Sequence, residues 1–143
     1  MNHPSFARNN DLLEVFLEKI KPQKSSGFTQ LFREKLWLAS DKRCAYCGKV
    51  LDCFTKVRVD HFEPRSKMWF EHVENYVCSC HQCNSMKCNA DIEELRFRSA
   101  VYNSPIKGII SPSQAKQLMN IGIELPIQLK QFYFEKCLAK GVV

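Results

Sequence analysis

Apolar residues recur along the chain at two different spacings, and the change of spacing divides it into elements. Leu12, Leu13, Phe16, Leu17 and Ile20 lie three and four apart behind Asp11, which predicts a first helix that Lys21-Pro22 stops. Pro22 to Gly27 is polar and reads as a linker. Phe28, Leu31, Phe32, Leu36 and Ala39 predict a second helix that runs to Ser40 or Asp41, just before Cys44. From Val50 to Asp60 the pattern shifts to β-branched and aromatic residues (Val50, Phe54, Thr55, Val57, Val59), and one or two short strands fit better than helix. A loop opened by Pro64 follows. Asn75-Tyr-Val-Cys-Ser79 predicts another strand, and Ser79-Cys-His-Gln82 has the form of a capping box that starts a helix reaching Asn89. Further helices are predicted after Asp91-Ile-Glu-Glu94, from Ser111-Pro112 to Gly122, and from Pro126 through Phe132, Tyr133 and Leu138.

The predicted fold class is therefore α+β. Two short strands and a helix occupy the middle (44–90), helices precede them (1–43) and a helical extension follows (91–143). At 143 residues and 45% hydrophobic composition, one domain with its own core is expected.

Eight cysteines raise the question of a secreted disulfide scaffold. Met1 to Arg8 lack the apolar core of a signal peptide, and no stretch approaches membrane-spanning length. A cytoplasmic location with no membrane partner is expected, and in a reducing compartment paired cysteines point to a metal. Cys44-Ala-Tyr-Cys47 and Cys80-His-Gln-Cys83 are two knuckles with 32 residues between them. They predict a structural Zn²⁺ held tetrahedrally by four thiolates. Cys78 and Cys88 flank the second knuckle and His81 lies inside it, so Cys78 and His81 stay open as alternative ligands. Cys53 and Cys137 have no motif around them and are expected in the core.

The formal charge of +6 leans toward a polyanionic partner. Residues 1–67 carry 13 Lys and Arg against 8 Asp and Glu, while residues 68–143 carry 8 against 7. The basic half thus leads into the cysteine motif, where a phosphate backbone would be met.

Val59-Asp60-His61-Phe62-Glu63-Pro64-Arg65-Ser66 resembles the HNH (ββα-metal) endonuclease family, in which a strand ends in Asp-His or a similar pair and is often followed by Pro and basic residues. Asn75 falls at the family's central Asn. Asn84-Ser-Met-Lys87, directly after Cys83, resembles the Asn-x-x-Lys variant of its closing motif, with Asn84 in place of the final His. The resembling segment, Cys44 to Lys87, covers under a third of the chain. It implies a small ββα-metal core and a metal-dependent endonuclease that hydrolyses phosphodiester bonds of DNA, with double-stranded DNA as partner. One divalent ion would contact the scissile phosphate and the 3′ leaving oxygen.

The residue types suit that chemistry. His61 can act as general base, since its ordinary pKa lies near operating pH. Asp60 and the Asn84 carboxamide are hard oxygen donors for Mg²⁺ or Mn²⁺. Lys87, three residues after Asn84 on a helix, shares its face and can reach the phosphate. By the resemblance, Asn75 hydrogen-bonds the loop and so orients His61. Zinc fixes the start of the helix that carries Asn84. Because side chains alternate along a strand, Asp60 and His61 can serve one phosphate only if the strand ends or bends there. The uncharged Asn84 should hold the ion loosely until DNA arrives.

Arg65 and Lys67 read either as phosphate contacts or as solvated loop charges. Trp69 and Phe70 stack on bases or pack as core or lid. His3 and His72 read as surface residues. Two other functions remain open: an RNA-cleaving nuclease, and a non-catalytic zinc-containing nucleic-acid-binding module, for which the basic first half and a possible helix-turn-helix at Ser111 to Phe134 speak. Enzymes similar to the family serve in restriction, phage genome processing, intron homing, bacteriocins and antiphage defence. An unrestrained DNA nuclease would be toxic in the cytoplasm, so a regulatory or targeting protein partner or a homo-oligomer is expected, with the apolar helices at 11–21 and 126–139 as contacts.

Overall fold

The computed structural model describes residues 2–16, 28–64 and 72–141. Arg65, Lys67, Trp69, Phe70 and the predicted linker at 22–27 lie outside the described residues. Near the N-terminus, Pro4–Ala7 and Asn10–Phe16 are 3₁₀ helices. The expected first α-helix is thus, over its described part, a tighter coil. Its one fully enclosed side chain, Leu13, and the Phe16 ring, edge-on to Phe32 at 5.1 Å, dock on the next helix, so packing rather than an amphipathic period sets the local geometry.

That next helix, α1 (Gln30–Ala39), follows its sequence signals. Thr29 caps it, its Oγ1 accepting from Phe32 N at 3.2 Å, and Phe32, Leu36 and Ala39 form the buried stripe. Asp41 and Lys42 then take left-handed φ of 55° and 60° and turn the chain into the first cysteine knuckle, closed by a bridge between Arg43 and Val50.

The centre is a strand-strand-helix unit. β1 (Arg58–His61) pairs antiparallel with β2 (Tyr76–Ser79), Arg58 facing Ser79 and His61 facing Tyr76. All four residues of β2 are buried. Ser79 is fully buried and its Oγ donates to Arg58 O at 2.7 Å, so it cannot serve as the helix cap its sequence suggested. The cap moves one residue on. Cys80 Sγ accepts from Cys83 N at 3.4 Å and opens α2 (His81–Lys87), which packs on β1.

Asp91 caps α3 (Ile92–Tyr102) through Oδ1 to Glu94 N at 2.9 Å, and Ser111 and Gln114 form a reciprocal capping box at the head of α4 (Pro112–Asn120). The last helix, α5, spans Tyr133–Ala139 and does not start at Pro126. Residues 123–132 are non-helical. Their groups are committed elsewhere: Lys130 O accepts from Arg96 at 2.7 Å. The first two N–H groups of α5, which no helix can satisfy internally, donate to Tyr46 O and Ala45 O at 2.9 Å each.

α3 serves two cores. Leu95 joins the main one, built on Phe32, Leu36, Val59, Tyr76, Val77 and Phe134 among others, while Phe97 and Val101 meet Ala115 of α4 in a smaller one. Among the described residues no helix is long and apolar enough to cross a membrane.

Candidate metal centre and Asp-His site

The Sγ atoms of Cys44, Cys47, Cys80 and Cys83 all lie within 4.8 Å of one another. Cys47 and Cys80 are 3.8 Å apart. A tetrahedron with Zn–S bonds of about 2.3 Å has edges of about 3.8 Å, so the site has the composition and dimensions of a structural zinc centre. Gly48 makes the first knuckle possible: its φ is +78°, and a Cβ would sit 3.1 Å from the Tyr133 ring. Proton sharing with Cys44 pulls the Cys47 thiol down to about 7 and Cys80 further, while Cys44 and Cys83 are held up. Four thiolates this close need a cation before all can ionise.

The alternative ligands drop out. Cys78 is buried in β2, where burial pushes its thiol up to about 12, and His81 is exposed; neither belongs to the cluster. Cys53 and Cys137, expected in the core, are only half-buried, and Cys88 is exposed.

Asp60 and His61 are the last two residues of β1, which ends there. Asp60 is 5% exposed, and its Oδ2 accepts from the Tyr46 hydroxyl at 2.5 Å. The same oxygen lies 3.2 Å from Lys87 Nζ. Lys87 has no exposed surface; its Nζ also donates to His61 O at 2.8 Å. Burial pushes the Asp60 carboxyl up, opposed by the Lys87 ammonium and the Tyr46 hydroxyl. The half-buried His61 ring lies edge-on to Tyr76, its partner across the ladder, at 5.3 Å. The pair keeps the alternation of a strand, Asp60 toward α2 and His61 toward Tyr76.

Asn75 is fully buried just before β2. Its Oδ1 accepts from Glu63 N at 2.8 Å and its Nδ2 donates to Glu63 O at 3.2 Å, while its backbone carbonyl accepts from Phe62 N at 2.8 Å. Both polar groups of the Glu63 backbone, two residues past His61, are thereby fixed. Asn84 is half-buried in α2, its N–H bonded to Cys80 O at 3.0 Å. Lys87, one turn later, reaches the Asp60 carboxylate and the backbone carbonyl of His61 with its ammonium.

Two residues absent from the sequence reading complete the site. Tyr46, inside the first knuckle, reaches Asp60. Arg8 is 6% exposed and donates to Tyr76 O at 2.5 Å and Val73 O at 2.9 Å, pinning the segment around Asn75; burial lowers its pKa to about 10. A tyrosine between two ligand cysteines is a visible oddity of the sequence, but nothing near Arg8 announces a partner 68 residues away. No family model, curated protein or solved structure matches the chain. Its description rests on its own residues: a small mixed α+β fold stapled by a four-cysteine zinc-binding site, with an Asp-His pair at the end of β1.

Proposed function

We propose that the protein is a zinc-stapled, metal-dependent nuclease of the HNH kind that cuts phosphodiester bonds of DNA. One convergence carries this reading. Asp60 and His61 end β1, Asn75 bonds the peptide that follows them, and the helix started by the second knuckle delivers Lys87 to both, 3.2 Å from Asp60 Oδ2 and 2.8 Å from His61 O. Asp60 and His61 leave β1 on opposite faces, so one phosphate meets both only at the end of the strand, which is where they stand.

By donor chemistry, Asp60 and Asn84 fit Mg²⁺ or Mn²⁺, whose bound charge would offset the negative charge a phosphodiester gains during hydrolysis. His61 takes the proton of the attacking water at a ring nitrogen. Asn75 holds the loop that keeps this imidazole in place, and the zinc knuckles hold the first turn of α2, and with it Asn84, against β1. Lys87, expected on the phosphate, here balances the Asp60 charge.

A second reading, a zinc-containing module that binds nucleic acid without cutting it, is favoured by a specific observation. Asp60 is 5% exposed and one of its oxygens is already engaged by Tyr46 and Lys87, as in a structural ion pair. The zinc cluster serves this reading as well as the first.

The deciding experiment incubates the purified protein with supercoiled plasmid, linear duplex and RNA, with and without Mg²⁺ or Mn²⁺, alongside His61→Ala. The nuclease reading expects ion-dependent cutting that falls by about 10²–10⁴-fold in the variant while zinc content holds. Binding by both proteins without cutting by either establishes the second reading, and cutting of RNA alone reassigns the substrate.

A further inference from the structure

The zinc knuckle and the Asp-His pair are joined by one side chain that neither role accounts for. Tyr46 lies between two cysteines of the cluster, 2% exposed, its ring edge-on to Phe132 at 5.5 Å and Phe134 at 6.4 Å. Its backbone is held from both sides by Cys44 and Cys47, and its carbonyl accepts from Tyr133 N at 2.9 Å. A buried phenol must find a partner for its hydroxyl. Here that partner is Asp60 Oδ2 at 2.5 Å, the oxygen that also faces Lys87.

The other carboxylate oxygen is treated differently. Among the described residues no donor reaches Oδ1, and no fully enclosed side-chain oxygen lacks a partner, so Oδ1 is not fully enclosed. One oxygen is tied down and the other is offered. Ligating carboxylates are held in this way, by a hydrogen bond to the oxygen that does not bind.

We infer that Tyr46 is a positioning residue for Asp60: it carries the rigidity of the zinc knuckle to the carboxylate and leaves Oδ1 as a single ligand atom for a divalent cation. The inference rests on the nuclease reading. It makes the structural metal a determinant of the second metal's affinity, through the hydroxyl of one side chain.

Tyr46→Phe removes that hydroxyl and keeps the ring packing. In the full, zinc-loaded chain, zinc content and the melting transition are measured first. Mn²⁺ affinity is then read from the electron paramagnetic resonance of free Mn²⁺ in the presence of duplex DNA, and cleavage is followed against Mn²⁺ concentration. The expected result is retained zinc and fold, Mn²⁺ affinity weaker by about tenfold, a half-saturating Mn²⁺ concentration raised to match, and a cleavage rate that recovers at saturating Mn²⁺. A purely structural tyrosine would lower stability without this split. Equal Mn²⁺ affinity in variant and wild type overturns the inference and leaves the nuclease reading standing. A wild type that neither binds Mn²⁺ nor cuts overturns both, so the two failures are told apart by the wild type alone. Should Tyr46→Phe lose zinc or fold, 3-fluorotyrosine at position 46 replaces it. That residue keeps ring and hydroxyl but is a stronger donor, so the half-saturating Mn²⁺ concentration must move with zinc retained, and an unmoved value overturns the inference.

Discussion

Cys88 ends α2 with φ 50° and ψ −119°, a conformation that a residue with a Cβ enters only under strain and glycine enters freely. Its side chain is exposed, while its N–H donates to Asn84 O at 3.0 Å, so the end of the helix and not the thiol dictates this backbone. Relief of such strain, of order 1–3 kcal/mol, exceeds the extra unfolded-state entropy of glycine, about 0.5–1 kcal/mol. Cys88→Gly is therefore expected to stabilise the zinc-loaded protein by about 1 kcal/mol, visible as a higher melting temperature; a lower one would mean that the thiol makes a contact worth more than the strain. Single residues differ in how far their sequence announces them. The four zinc cysteines were legible because a two-residue gap is itself the geometry of a knuckle. Arg8 and Tyr46 were not, because their roles depend on partners 68 and 14 positions away, and no local pattern encodes a contact that exists only once the chain has folded.

The first knuckle is the joint at which several elements meet. Ala45 N donates to Cys78 O of β2 at 2.9 Å, Ala45 O accepts from Phe134 N of α5 at 2.9 Å, and the cluster ties the knuckle to Cys80 and Cys83 of α2. The two backbone contacts are single hydrogen bonds whose geometry is set by residue 45, so they depend on the knuckle keeping its shape. Removal of zinc by a chelator is expected to release them together. Hydrogen exchange at Ala45, Tyr133 and Phe134 should accelerate along with exchange in β1 and β2, and fraying confined to residues 44–50 would show that the metal holds only its own loop. The same dependence explains which elements the sequence revealed. The α1, α3 and α4 helices carry an apolar stripe or a cap within a few residues, at Thr29, Asp91 and Ser111 with Gln114, and local information sufficed. Where a distant partner claims the backbone or side chain, local signals misled: Ser79 is spent on Arg58, Asn10–Phe16 tightens to seat Leu13, and α5 waits until Tyr133 because its first N–H groups dock on the knuckle.

The ends of the molecule are drawn together by one carboxylate. Glu135 of α5 accepts from Arg96 of α3 at 2.7 and 3.0 Å, from Phe132 N at 2.7 Å and from Asn2 at 2.8 Å, so the N-terminal segment, α3 and the head of α5 share it. The Arg96 guanidinium also lies over the Phe132 ring, 4.6 Å from its centre. Burial pushes the Glu135 carboxyl up, but Arg96 and the other donors outweigh it, and the net shift is downward. The sign of the pH effect follows. A carboxyl held lower in the folded chain than in the unfolded one binds fewer protons when folded, so its stabilisation is complete above its ordinary value of 4.5 and is lost as pH falls through its folded value. Glu135→Gln keeps the shape but gives up the charge and one of the two acceptor oxygens. The variant is expected to melt below the wild type at neutral pH, with the gap closing as the pH is taken below the ordinary glutamate range. Protonation of the zinc thiolates also destabilises the protein in acid, but it acts on both chains, so the quantity to follow is the difference in melting temperature at each pH. A gap that stays constant into acid would show that Glu135 acts through packing alone and that the ends of the chain are held by apolar contacts around Phe132 and Phe134.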